Sequence, residues 1–316
     1  MYAQVLTREK VIMSMTSYSR MLNTDIQVEH FVDHILKIED KKQKRKAINI
    51  IAAAERNMQD YSQSPTLTHW DYRDTFYRDD EKREKLRKRI FDELKEKERL
   101  SSDDRIKLGR GGAKPHTALK KERKVFYLIG PPASGKSTIA SQIADIAGAY
   151  ILDSDYAKRK LPEYRNQISA ASLIHDESAA LVFSYKGYNL LAYCVENEYN
   201  MVIPKIGHDK DKIIKFACAL KESGYKVYLI SIDLDRAEAT KRAYVRFVKS
   251  KRYVPLSLVF DCYANEPTLN YFKIRQLESD IFDGFAQIST DVSRGTQPLL
   301  LENIGIEEID EFYGRI

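Results

Sequence analysis

The 316-residue chain is poor in cysteine, has no long apolar run and carries no one-sided excess of charge. Its three cysteines, Cys194, Cys218 and Cys262, are odd in number, far apart and without metal-site spacing. That excludes a disulfide-stapled scaffold or a zinc module and leaves reduced core thiols. No stretch reaches the roughly 18 apolar residues of a membrane-spanning helix. The opening Met1-Tyr2-Ala3-Gln4 also lacks the charged-then-apolar order of an export signal, so a cytoplasmic, membrane-free protein is expected. With 52 basic against 46 acidic residues, the net charge is only +6. This suits phosphate-bearing ligands without calling for nucleic acid.

Glycine is sparse but concentrated where it matters. Gly130-Pro131-Pro132-Ala133-Ser134-Gly135-Lys136-Ser137 follows the apolar run Val125 to Ile129 and precedes a helical pattern from Thr138. The order strand, G-x-x-x-x-G-K-[ST], helix is that of a phosphate-binding loop. Gly130 turns the backbone off the strand, and Gly135 lets successive N–H groups approach phosphate oxygens without a Cβ in the way. Residues Gly130 to Thr138 then line an anion nest at the positive end of a helix. Lys136 is expected on the outer phosphates and Ser137 on a Mg²⁺ that keeps most of its waters.

The rest of the chain falls into an N-terminal helical region, residues 1–115, and an α/β region, residues 116–316. Thr24 and Gln27 have capping-box spacing ahead of Val28, Phe31, Val32, Ile35 and Leu36 on one helical face. A second helix is predicted from Lys44 to Asp60, making a helical hairpin with the basic run Lys41 to Lys46 as a solvated turn and helix face at the joint. Leu86, Ile90, Phe91 and Leu94 keep a helical stripe through the charged stretch 80–100, and Gly109 to Pro115 reads as a flexible or tightly turning connection. Beyond the phosphate loop, strands are expected at Ala149 to Asp153, Asn200 to Pro204, Tyr225 to Ile232 and Phe285 to Ser289. Helices are expected around Ile174 to Asn197, Asp209 to Glu222 and Arg236 to Lys249. This alternation predicts a mostly parallel sheet covered by helices, with ligands beyond the carboxyl ends of the strands.

Two carboxylates, Asp153 and Asp155, stand at the end of the second predicted strand, where a pair two residues apart on an extended chain points one way. One can take a proton from a substrate hydroxyl while the other holds metal water or nearby cations. Arg242 and Arg246, at i and i+4 on a predicted helix, and Arg252 beyond it can gather charge on a transferring phosphoryl group. Lys205 and His208 follow the third strand, and Glu177 lies in His175-Asp176-Glu177-Ser178.

The segment from Val125 to Pro255 resembles the zeta-toxin family of P-loop small-molecule kinases. The resemblance rests on the phosphate loop, Asp153-Ser154-Asp155-Tyr156 with Leu161-Pro162-Glu163-Tyr164, His175 to Ser178, Asn200 to Gly207, Arg242, Arg246 and Arg252 to Pro255. It implies a P-loop kinase-like α/β fold using ATP (or GTP) and Mg²⁺ to phosphorylate a hydroxyl of a nucleotide sugar such as UDP-N-acetylglucosamine. A related effector branch acts on NAD. Asp155 then matches the catalytic base, Lys136 the loop lysine, and Ser137 the metal-binding hydroxyl, with Asp153 beside it. Arg242, Arg246 and Arg252 match the γ-phosphate arginines, and Lys205, His208 and Glu177 are assigned to the substrate side. The chain departs from the family at Lys205-Ile206-Gly207-His208, where other members carry Gly-Thr and then arginine. The family also implies an antitoxin, and residues 24–62 are a candidate inhibitor acting in cis; its members work in the bacterial cytoplasm or in a target cell reached by a secretion system. A catalytically weak nucleotide-binding module and a polynucleotide 5′-kinase are the rival readings.

Overall fold

A computed structural model describes residues 19–59, 65–165, 173–250, 253–293 and 295–314. Its centre is strand β1, Lys124–Ile129, whose residues from Val125 onward are all buried. Such a continuous apolar run marks a strand covered on both faces. The other strands are β2 (Tyr150–Ile151), β3 (Met201–Pro204), β4 (Lys226–Asp233), β5 (Gly284–Ser289) and β6 (Leu299–Ile304). Among the described residues they form one sheet in the order β2-β3-β1-β4-β5-β6, parallel except for β5 with β6. The predicted parallel α/β architecture is therefore the observed one.

The helices lie in three groups. The first is α1 (Asp25–Phe31), continued by a π turn to Leu36, and α2 (Lys41–Gln59), with α3 (Asp80–Glu96) after them. Helix α4 (Lys136–Ile146) follows the phosphate loop, and α5 (Ser154–Lys158) follows β2. The predicted helical segment 174–197 is broken into α6 (His175–Phe183) and α7 (Leu190–Glu196). Last come α8 (Lys210–Glu222), α9 (Arg236–Ser250), α10 (Glu266–Leu277) and α11 (Glu307–Phe312). Several start where an acid or amide accepts a free N–H: Asp79 from Lys82, Asn189 from Ala192 and Asp209 from Lys212. Thr24 caps α1 through the Gln27 N–H as its spacing predicts. The basic run 41–46 forms the largely exposed first turns of α2, which begins three residues earlier than expected, with Lys44 paired to Asp33 at 2.6 Å.

Among the described residues two hydrophobic clusters result. The larger surrounds the sheet and includes Leu86, Ile90 and Leu94 of α3, together with Ile106 and Ala113. Residues 80–115, grouped by sequence with the accessory region, thus share the core of the α/β region. The connection 109–115 is tightly turned: Gly109 and Gly111 have φ of 88° and 75°, and a Cβ on Gly112 would lie 2.1 Å from the Lys97 carbonyl oxygen. The smaller cluster joins Val28, Phe31, Val32, Ala47 and Ile51 of the N-terminal hairpin to Ala239, Ala243 and Phe247 of α9 and to Tyr253, Leu256, Val259 and Phe260 beyond it. Arg20 fixes the hairpin's approach with two guanidinium bonds to Asp261, at 2.8 and 2.7 Å.

Candidate active site

The phosphate loop leaves β1 at Gly130, whose Cβ, if present, would stand 2.4 Å from the Ile232 carbonyl oxygen. A side chain cannot be accepted there without moving β4. Gly135, at φ 83°, is the N-cap of α4 and offers no side chain to its first N–H groups. Those donors are left for an anion, and the helix dipole adds to their pull. Thr290, just past β5, clamps the loop by donating from Oγ1 to the Ser134 carbonyl at 2.8 Å. Ser137 and Thr138 are exposed at the loop's outer edge. Lys136 Nζ donates to the carbonyls of Gly130 and Pro131, both at 2.6 Å, so the ammonium is held over the loop itself. Burial and the Arg246 charge push its pKa down to about 7, against the pull of Asp153.

The neighbouring strand ends supply carboxylates and further cations. Asp153 is the N-cap of α5, its Oδ1 accepting the Asp155 N–H at 2.9 Å. The two aspartates therefore lie across a helix start rather than along an extended chain. Asp155 pairs with Lys158, one turn on, at 3.1 Å. Lys205, at the end of β3, places its ammonium 3.5 Å from the centre of the Phe183 ring. Burial lowers its pKa to about 8, Asp153 acting in the opposite sense and Lys158 in the same. The loop carrying Lys205 is tied to the phosphate loop, since Gly130 N–H donates to the Ile206 carbonyl at 3.0 Å. Gly207, at φ 78°, allows that approach; a Cβ there would fall 2.5 Å from the Ile129 side chain. Asn270 of α10 braces the loop through a bond to the Gly207 carbonyl at 3.0 Å.

The predicted residues do not all converge. Arg246 of α9 is close enough to Lys136 to depress its pKa, whereas Arg242 turns to Glu238 at 2.9 Å and the Thr290 carbonyl at 3.1 Å. Arg252 lies outside the described residues. Glu177 is removed from the substrate side: it is fully buried against α3, bonded to Arg83 and Arg87, each at 2.7 Å from Oε1, and to Thr66. His208 is exposed, its ring 5.1 Å from that of Tyr263. Sequence reasoning passed over Lys158, Arg159 and Thr290. The basic run Lys158-Arg159-Lys160 after Asp155 was the available signal for the first two; Thr290 carries none. Among the described residues no group of three or more His, Cys, Asp or Glu side chains forms a metal cage, and no helix is long and apolar enough to cross a membrane.

Comparison with known proteins adds the lineage. The chain is similar to a chain of the PezAT chromosomal toxin-antitoxin system of Streptococcus pneumoniae, at 20% identity and a TM-score of 0.45 over 60% of this chain and 74% of that one. It is similar to the AvrRxo1-ORF1:-ORF2 complex with ATP, at 18% identity and 0.44 over 73% and 71%. A gluconokinase from Sinorhizobium meliloti is more distant, at 13% and 0.30 over 55% and 86%. No curated protein matches the chain by sequence. Residues 112–273, just over half of the chain, match the family described as zeta toxin, and the chain belongs to the zeta-toxin family of P-loop kinases.

Proposed function

We propose that this chain is an ATP-dependent phosphotransferase acting on a hydroxyl of a nucleotide-like small molecule, a nucleotide sugar being the preferred class. The observation that carries the reading is an uncapped, glycine-shaped phosphate loop whose Lys136 feels the charge of Asp153, the residue capping the short helix that carries Asp155, itself held by Lys158 at 3.1 Å. A loop alone accounts for phosphate binding; a positioned base beside it supports transfer.

Ser137 Oγ and Asp153 are hard oxygen donors that fit a Mg²⁺ retaining most of its shell for water and phosphate oxygens. When bound, that ion would supply charge neutralisation between the β- and γ-phosphates. The loop amides and Lys136 hold the phosphates. Asp155 takes the proton of the acceptor hydroxyl as its oxygen bonds to the γ-phosphorus. The bond from that phosphorus to the bridging oxygen breaks, ADP departs with the electron pair, and Arg246 offsets the charge gathered on the transferred group. Lys205 lies on the acceptor side, where this chain departs from its family's pattern.

Asp155→Asn is expected to keep ATP binding and to lower the transfer rate by about 10²-fold or more. Incubating the purified protein with labelled ATP and a pool of nucleotide sugars, NAD and nucleosides, then weighing the labelled product, tests both reaction and acceptor. Unchanged turnover in the variant would defeat the assignment of the base.

We also propose that the hairpin within residues 24–62 restrains the kinase in cis. The supporting observation is its packing on α9, which carries Arg242 and Arg246. Arg20→Glu, which opposes Asp261 with like charge, is expected to raise turnover severalfold. An unchanged rate in the folded variant counts against restraint.

A further inference from the structure

Two arginines near the phosphate loop keep buried donors without partners. Arg159, directly after α5, is 6% exposed; it donates from Nη2 to Asp104 Oδ1 at 3.0 Å and lies over the Tyr164 ring at 5.6 Å. Its Nε is buried with no hydrogen-bond partner. Arg246 Nε is buried and unpartnered in the same way. Leaving a buried donor unsatisfied costs about 1–3 kcal/mol, and more when the group is charged. The two guanidiniums also lie within electrostatic reach of each other: burial first, then the Arg159 charge, lowers the Arg246 pKa, with Tyr164 and Asp104 acting in the opposite sense. Like charges drawn together in a poorly solvated place are unfavourable until an anion comes between them. Arg246 in turn acts on Lys136, so its charge is felt both at Arg159 and at the phosphate loop.

Other buried cations nearby have different fates. Lys160 is fully engaged by Glu93 at 2.7 Å and by the carbonyls of Lys107 and Arg110, which makes it a brace between α5 and the 107–110 turn. Arg99 also keeps an unpaired Nε, but its terminal nitrogen is bound to Asp145 and to the Ser141 carbonyl along α4. Arg159 differs in having one carboxylate partner, 66% exposed, on one edge of the guanidinium.

We propose that Arg159 is a phosphate-binding residue of the transfer site, acting with Arg246 on the terminal phosphate of the bound nucleotide, and that Asp104 is the residue positioning it. The inference rests on the phosphotransferase reading. Asp104 belongs to the short turn Asp103–Arg105, upstream of the residues 112–273 that match the family. A segment outside the family match therefore completes the site. A guanidinium held on one edge by Asp104 presents its remaining N–H groups in a fixed fork, the geometry that suits phosphate oxygens.

The test is binding of ADP and of β,γ-imido-ATP, each with Mg²⁺, to the full chain and to Arg159→Met, Arg159→Lys and Asp104→Asn. A contact to the terminal phosphate weakens the triphosphate analogue alone, whereas a purely structural residue weakens both nucleotides. Arg159→Met is expected to lose about tenfold or more for the analogue, with ADP unchanged within about twofold, and lysine is expected to restore part of the loss. Asp104→Asn should lose about two- to fivefold for the analogue only. If Arg159→Met fails to fold, Asp104→Asn decides on the same ratio. An unchanged ratio of the two affinities in the folded variants overturns the proposal. Wild-type protein that binds neither nucleotide overturns the phosphotransferase reading, and this inference with it.

Discussion

Lys136 shows how much of a charge's behaviour is set by its immediate surroundings. Its ammonium is buried over two carbonyls of its own loop, and burial with the Arg246 charge brings its pKa to about 7. Bound polyphosphate favours the ammonium and raises that value. Above about pH 7, nucleotide binding is therefore expected to take up a proton at this residue, approaching one proton near pH 8 and vanishing well below pH 7. Calorimetric titrations with ADP in buffers of different ionisation enthalpy measure the uptake, and Lys136→Met should abolish it. Absence of uptake at pH 8 in wild-type protein would contradict the assignment. Gly130 makes a second prediction at the same scale. An alanine there meets the Ile232 carbonyl oxygen at 2.4 Å, so Gly130→Ala is expected to cost about 1–3 kcal/mol in a denaturant melt and to weaken nucleotide binding.

The element whose role changed most is α3. Its charge density hides a buried ionic seam: Arg83, unexposed, bonds Glu177 and Glu163, while Arg87 shares Glu177 and donates to Tyr185 at 3.0 Å. This seam joins α3 to α6 and to the turn after α5. Burial works to raise the Glu177 pKa, but the bond and charge of Arg83, with Arg87 and Thr66, hold it down at about 2. Because the folded value lies below the ordinary 4.5, the stabilisation is complete above about pH 4.5 and fades as pH falls toward 2. Glu177→Gln, which leaves two buried guanidiniums short of a charge, is expected to lose about 3–5 kcal/mol at neutral pH. Urea midpoints of variant and wild type should converge as the pH approaches 2. A pH-independent gap would show that the lost charge is not what matters.

At the level of the whole molecule, the described residues hold two hydrophobic clusters, one around the sheet and one joining the hairpin to α9. One face of α9 belongs to the hairpin's cluster, while its Arg246 acts on Lys136 of the phosphate loop. Tyr253, just past α9, donates to Glu55 of α2, whose pKa burial raises. Phe31→Ala should remove about 3–5 kcal/mol from the smaller cluster. Hydrogen exchange should then quicken in α1, α2 and α9 while β1 and β4 stay protected; uniform loss of protection would mean that the two clusters unfold as one. Much of this organisation was legible before any coordinates. The phosphate loop, all five predicted strands and the hairpin helices follow from signals within a dozen or so residues: glycine placement, caps, and the period of apolar side chains. Boundaries slipped where the local signal was weak, as at β2, which is limited to Tyr150–Ile151. Strand β6 went unassigned because Leu299 and Leu301, each 54% exposed, break the rule that apolar residues point inward. The sequence by itself determined the strand, phosphate-loop motif and helix around Gly130 to Ser137 and that the sheet is mostly parallel. Only the tertiary structure decided that Glu177 turns inward to Arg83, 94 positions away, and that the Arg159 charge comes within electrostatic reach of Arg246. Burial and pairing of charges are properties of contacts between distant segments, and no local pattern of residue types encodes which distant partner will arrive.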